Sequence, residues 1–271
     1  MAERLVETRG LVVDYAARRS IWGPANGSTR VLRGVDLHID SGEIVGIVGE
    51  SGSGKSTLGR TLLGLVPATE GEVLYAGHPL DRQPDGALSL RRQMQMIFQD
   101  PMSSLNPRHT ISTILTRPMM LHGVAASQAA ADAAVAAVVD RVGLPLAVLA
   151  RYPHELSGGQ RQRVGIARAV MLRPKFVLAD EIVSGQDVST QARVLVLLKG
   201  LCAEIGMALA FISHDLSVIR ALCNRVYVLN GGVVVEEGPC EAVFAAPQHA
   251  YTRALIDAIP LPVVGTGWLA R

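Results

Sequence analysis

Between residues 49 and 57 the chain reads Gly49-Glu50-Ser51-Gly52-Ser53-Gly54-Lys55-Ser56-Thr57, which fits the spacing G-x-x-x-x-G-K-[ST]. Glycines in such a loop let backbone N–H groups close around an anion, and a helix starting behind them adds a positive dipole end. Lys55 is expected to reach the β- and γ-phosphates, and the Ser56 hydroxyl to ligate Mg²⁺. The chemistry implied is the binding of a nucleoside triphosphate. A second carrier of chemistry is Asp180-Glu181, two carboxylates that close the apolar run Phe176-Val177-Leu178-Ala179. At the carboxyl end of a parallel strand they face the ligand crevice, Asp180 placed for the Mg²⁺ shell and Glu181 for a general base acting on water. A third is Leu156-Ser157-Gly158-Gly159-Gln160, ahead of a helical segment from Arg161 to Leu172 that Pro174 stops. It is again a glycine-led helix start built for an anion. One nucleotide does not need two such sites from one chain.

These residues need elements to hold them. Ile44-Val45-Gly46-Ile47-Val48 reads as a buried strand leading into the glycine loop, and Leu58 to Leu65 as the helix leaving it. Leu11–Tyr15 and Val35–Ile39 read as strands, with an exposed loop from Ala16 to Thr29 rich in turn formers. From about residue 100 to 151 the pattern turns helical. In Ala126–Val142 the residues Val135, Val138, Val139 and Val142 mark one apolar helix face, with Ser127 as its cap and Gly143 as its end. Strands return at Phe176–Ala179 and Met207–Ile212, and Val226–Leu229, Asn230-Gly231-Gly232 and Val233–Val235 predict a hairpin. Strands separated by helical stretches predict an α/β fold with a largely parallel sheet, and some antiparallel structure near the N-terminus.

Bulk properties narrow the classes. A net charge of +2 over 271 residues leaves no nucleic-acid footprint. No stretch approaches about eighteen uninterrupted apolar residues, so no bilayer span is expected. The start of the chain lacks a signal peptide's apolar run. Cys202, Cys223 and Cys240 are odd in number and lack ligand spacing. They read as small buried hydrophobes in a reducing cytosol.

Ser-Gly-Gly-Gln standing between a phosphate loop and an Asp-Glu strand resembles the ATP-binding-cassette (ABC) ATPases, over about Leu5 to Pro260. The resemblance implies a P-loop NTPase ABC nucleotide-binding domain over residues 1–245, with an N-terminal antiparallel β-subdomain and an inserted helical subdomain at about 100–170. A short tail over 246–271 follows. Its cofactors would be ATP and Mg²⁺. By the same resemblance Tyr15 would stack on the adenine, and Gln99 would touch Mg²⁺ and the attacking water. His214 would sense the γ-phosphate. Ser157, Gly158, Gly159 and Gln160 would cap ATP held by a second cassette facing head to tail. Ser184-Gly185-Gln186-Asp187 would form the loop that crosses that dimer interface, with Asp187 at the nucleotide.

Two stretches narrow the resemblance. Phe98-Gln99-Asp100-Pro101-Met102-Ser103-Ser104-Leu105-Asn106-Pro107-Arg108 is similar to the oligopeptide, dipeptide and nickel importer ATPases. Pro247-Gln248-His249-Ala250-Tyr251-Thr252 is similar to their His-Pro-Tyr-Thr segment, with Ala250 in place of proline. The implied protein couples ATP hydrolysis to import of peptides or a related small solute, peripheral on the cytoplasmic face of the bacterial inner membrane. Its implied partners are a second ABC ATPase subunit (same or different chain), two membrane permease subunits and, indirectly, a solute-binding protein. Met102, Leu105 and Pro107 are expected to be exposed and to help form a groove for a cytoplasmic helix of the permease. Three departures from the family pattern stand out. Ile182 replaces the usual proline, Gly185-Gln186 replaces Ala-Leu, and the chain ends at Arg271 without a cysteine-rich tail, so no iron–sulfur cluster is expected. Restoring Ala and Leu at 185 and 186 is expected to ease ATP-driven closure. A weakly hydrolysing regulatory cassette in an asymmetric heterodimer, and a non-transport ABC ATPase, are the alternative readings.

Overall fold

The computed structural model describes residues 3–16 and 28–258, so most of the expected loop at 16–29 and the end of the tail lie outside the described residues. Strand β1 (Arg4–Ala16) pairs antiparallel with β2 (Ser28–Asp40), and β3 (Ile44–Val48) runs straight into the glycine loop. Helix α1 (Lys55–Leu62) leaves that loop, followed by β4 (Glu70–Tyr75), the two-residue β5 (His78–Pro79), α2 (Gly86–Gln93) and β6 (Met94–Ile97). Four helices come next: α3 (Pro101–Ser104), α4 (Ile111–Leu121), α5 (Gln128–Arg141) and α6 (Gly158–Val170). Then β7 (Phe176–Asp180), α7 (Val188–Ile205), β8 (Ala208–Ile212), α8 (Leu216–Leu222), the hairpin β9 (Arg225–Asn230) and β10 (Val233–Pro239), α9 (Cys240–Ala245) and α10 (Ala250–Asp257) complete the described chain.

Two sheets result. One is antiparallel in the order β2-β1-β4-β5, and the other runs β10-β9-β3-β8-β7-β6, parallel except for its β9–β10 edge. The parallel strands are buried on both faces, which is why they read as unbroken apolar runs. Their residues alternate between two cores: Val45, Ile47, Leu178 and Ile212 face the core shared with the antiparallel sheet and α1, whereas Ile44, Val48, Val177, Ala179 and Phe211 face the helical core. Cys202, Cys223 and Cys240 are buried and free. Burial pushes the thiol of Cys202 up to about 12 and that of Cys240 up to about 11, with Cys223 also raised. Among the described residues no helix is long and apolar enough to cross a membrane.

Several boundaries differ from expectation for identifiable reasons. α1 starts at Lys55 rather than Leu58 and stops before Gly64, whose φ of +63° terminates it. α6 likewise starts at Gly158, because Ser157 caps it: its Oγ accepts from Gln160 N–H at 3.3 Å while Gln160 Oε1 accepts from Ser157 N–H at 3.0 Å. β1 extends back to Arg4 across register shifts between Thr8 and Val12, and those bulges break the alternation that marks a strand. α5 is capped by Ser127 as expected, and Gly143 follows its end with φ +70°.

Candidate active site

The glycine loop is shaped by backbone that side chains would obstruct. Gly49, Gly52 and Gly54 have φ of +151°, +83° and +105°, and a Cβ on Gly49 would lie 2.1 Å from the Leu229 carbonyl oxygen. Lys55 is buried at the base of the loop, its Nζ donating to the carbonyls of Gly49 and Glu50 at 2.7 Å each. Burial lowers its pKa, opposed by the carboxylates of Glu181, Asp180 and Glu50. Ser53 Oγ is buried with no protein partner. An ammonium bonded only to its own loop's carbonyls, an orphaned hydroxyl and the first turn of α1 together fit an anion. The Ser53 N–H donates to the Glu50 carbonyl at 3.2 Å, closing the turn that carries Ser51 and Gly52 ahead of Gly54. Thr57 takes a long contact of 3.5 Å from the Tyr15 hydroxyl, whose ring is 41% exposed at the end of β1.

Beside the loop, β7 delivers its carboxylates. Asp180 is 3% exposed and accepts from Ser56 Oγ at 3.1 Å; burial raises its pKa and the Ser56 bond partly offsets that. The Ser56–Asp180 pair fits a hard divalent cation, which takes oxygen ligands. Glu181 follows with φ +48°, an unusual backbone for a residue with a side chain. Its carboxylate is met from both sides. Gln99 Nε2 donates at 3.2 Å to one oxygen, and His214 Nδ1 stands 3.4 Å from the other. Chain segments 82 and 33 residues away thus converge on one carboxylate. Acceptors for a water's protons lie here, and the cation pair lies at the neighbouring residue.

The second glycine-led helix start is elsewhere. Gly158, Gly159 and Gln162 border a separate cleft of about 550 Å³ with Gln99, Ile182 and Gln186, and no residue of 49–57 lines it. Added side chains at Gly158 and Gly159 would meet nothing within 4 Å, so this corner is open to solvent. Asp187 caps α7, accepting from Thr190 N–H at 3.0 Å. Gln186 donates to Gln162 Oε1 at 2.7 Å and to Ile182 O at 3.3 Å, while its own Oε1 is buried and unpartnered. Gln162 is 3% exposed, lies in no recognised motif, and is the residue that sequence reading missed here.

One expected surface is corrected. Met102 (38% exposed) and Pro107 are exposed as expected, but Leu105 is 2% exposed and belongs to the helical core, and Met102 lines the 550 Å³ cleft. The apolar groove between the parallel sheet and α4 is formed by other side chains. It encloses about 610 Å³, with Leu65, Phe98, Ile114, Pro118, Leu121 and Arg168 in its walls. Arg168 lies over the Phe98 ring at 5.6 Å. Leu105 faces inward because the Asp100 cap turns the chain: its carboxylate accepts from Met102 and Ser103 N–H, and α3 closes before Leu105.

A glycine loop feeding a helix at the carboxyl end of a parallel strand, with an acidic strand end beside it, defines a phosphate-loop nucleotide-binding protein. The chain belongs to the ABC transporter family, whose model matches residues 32–184; a second model, for the oligopeptide/dipeptide transporter C-terminal region, matches residues 235–271. It is 46% identical over 262 residues to the oligopeptide transport ATP-binding protein OppF of Escherichia coli, covering 95% of this chain and 78% of that protein. It is 44% identical over 260 residues to the glutathione import ATP-binding protein GsiA of Salmonella typhimurium, covering 96% of this chain but 42% of GsiA, so it spans less than half of that relative's length. Among solved structures, an ATP-binding cassette dimer in a post-hydrolysis state with ADP and Pi superposes with a TM-score of 0.76 at 30% identity, over 87% of this chain and 99% of the other.

Proposed function

We propose that this chain is the ATP-hydrolysing, energy-coupling subunit of a bacterial importer for peptides or a related small solute. The observation that carries it is the convergence of Gln99, Glu181 and His214 beside the Ser56–Asp180 pair and the glycine loop. The loop from Gly49 to Thr57 binds the phosphates, Lys55 turning its ammonium from the Gly49 and Glu50 carbonyls to them. Ser56, Asp180 and Gln99 are the residues that would hold Mg²⁺, which when bound neutralises charge between the phosphates. Glu181 takes a proton from the attacking water, Gln99 and His214 keep its carboxylate aimed, and Tyr15 stacks on the adenine. Ser157, Gly158, Gly159 and Gln160 act on ATP held by a second cassette; the reading is supported by the cleft beside Gly158 and Gly159, which no residue of 49–57 lines. Asp187 and its loop meet that partner. The relatives that support an import role are named for peptide and glutathione import.

The permease contact follows from the 610 Å³ groove, which is apolar-walled and continuous with the chain after Gln99. A short cytoplasmic helix of one permease subunit would fill it, and the second permease subunit would dock on the partner cassette, placing the protein peripherally on the cytoplasmic membrane face. A solute-binding protein would reach it only through them. Two measurements test the reading. Glu181→Gln should retain ATP and accumulate an ATP-bound dimer while hydrolysis falls about 10²–10⁴-fold, the scale of general-base loss. Loss of nucleotide binding in that variant would move Glu181 from chemistry to structure. Leu121→Asp, at a side chain 70% exposed in the groove, should abolish transport and spare basal hydrolysis. Transport at the wild-type rate would rule the groove out.

A further inference from the structure

The C-terminal helix reaches the nucleotide loop through one bond. The Glu50 backbone N–H donates to the Tyr251 hydroxyl at 2.8 Å, across 201 residues of sequence. That N–H and the Gly49 carbonyl belong to the same peptide plane, and the carbonyl already accepts from Lys55 Nζ. One rigid plane at the mouth of the loop is therefore held from inside by the lysine and from outside by the tyrosine. We propose that Tyr251 is a positioning residue for the phosphate loop, fixing the Gly49–Glu50 peptide when Lys55 leaves it for the nucleotide.

The tether is anchored independently of the loop. Glu236 on β10 accepts from Gln248 N–H at 2.8 Å and from His249 N–H at 3.0 Å, and His249 Nδ1 accepts from Tyr251 N–H at 3.1 Å. These bonds satisfy donors at the start of α10 that a helix leaves unpaired. Leu255 and Ile256 pack against the helical core containing Val48, Val226 and Val228. β10 pairs with β9, and β9 pairs with β3, the strand that ends at Val48 one residue before the loop. The path from β3 through β9, β10, Glu236 and α10 back to Glu50 closes on itself, so the phenol is set at a fixed place over the loop. The loop needs such a hold, because its three positive-φ glycines resist no rotation by themselves.

The inference rests on Gly49–Thr57 being the phosphate site, so its test runs Lys55→Ala beside Tyr251→Phe in the full chain, with MgATP as the titrant. Tyr251→Phe keeps the ring and removes the acceptor. It is expected to weaken MgATP about three- to tenfold, the scale of one net backbone hydrogen bond. At saturating ATP, kcat should stay within about twofold of wild type, a binding effect without a chemical one. The nucleotide-free Tm should hold within about 4 °C, the reach of one hydrogen bond in a chain of this size, and exchange of the Glu50 amide proton should accelerate. Unchanged affinity overturns the tether, and so does a loss of affinity matched by a larger fall in nucleotide-free Tm, which is the mark of packing. If Lys55→Ala also leaves affinity untouched, the phosphate site itself is misplaced and the tether falls with it. A large loss for Lys55→Ala with none for Tyr251→Phe removes the tether alone.

Discussion

Asp180 is a carboxyl held in a buried place beside Ser56, where its charged form is disfavoured. Burial raises its pKa above that of the unfolded chain, Ser56 only partly offsetting this. A carboxyl so raised costs stability above its folded pKa, and the cost vanishes as the pH falls below its unfolded value. Asp180→Asn keeps an acceptor for Ser56 and removes the charge. The nucleotide-free protein should therefore gain roughly 0.5–2 kcal/mol at neutral pH, the scale of single stabilising changes. Melting curves at pH 7 and in acid check the sign, because the gain should shrink as wild-type Asp180 takes its proton. The same variant should lose hydrolysis, since it lacks the carboxylate that would hold Mg²⁺. A substitution that stabilises the fold while removing activity is what a functional residue held against its own preference predicts. Glu181, with φ +48°, shows the same opposition in the backbone.

At the scale of elements, the loop from Ser184 to Asp187 reverses one expectation. Gly185 has φ +73°, so the family's alanine would be strained there by about 1–2 kcal/mol, the cost of a left-handed L-residue. Gln186, an amide at the family's leucine position, is half satisfied: Gln162 and the Ile182 carbonyl hold its nitrogen, and its oxygen is buried and unpartnered. Gly185→Ala should therefore destabilise the chain and raise the ATP concentration that half-drives dimerisation, read in a Glu181→Gln background. A lowered midpoint would restore the original expectation. The loop also marks where sequence stops being legible. Phosphate loop, acidic strand and Ser157 cap could be read because each is local: a strand or cap with its own residue pattern. The Gln162–Gln186 and Glu50–Tyr251 bonds join residues 24 and 201 apart with no shared pattern. The same limit misplaced Leu105, whose direction depends on how the Asp100 cap turns the chain, and hid two short strands: β4, which opens on Glu-Gly-Glu, and the four-residue β6, interrupted by Gln95.

For the whole molecule, the separation of its two glycine-led helix starts is the organising fact. If the second completes a partner's site, specific hydrolysis should rise with protein concentration, and isolated dilute chain should be nearly inactive. Gly158→Asp gives a sharp contrast. Open space around Gly158 means the side chain disturbs nothing in its own chain, and an acid at the start of α6 should stabilise that helix by about 0.3–1 kcal/mol. In the dimer the same charge would stand against a partner's phosphate, so activity should vanish while the Tm rises. Residual activity at the wild-type level would break the head-to-tail arrangement. The three buried thiols bear on how such a dimer can be seen at all. Raised pKa values and burial leave almost no thiolate at neutral pH, so maleimides and disulfide reagents should pass the native chain by. A single cysteine engineered at Leu121 or Gly159 would then be the dominant reactive group, and spin labels or crosslinkers could report on the permease groove and the dimer seam without first stripping the protein of its own cysteines.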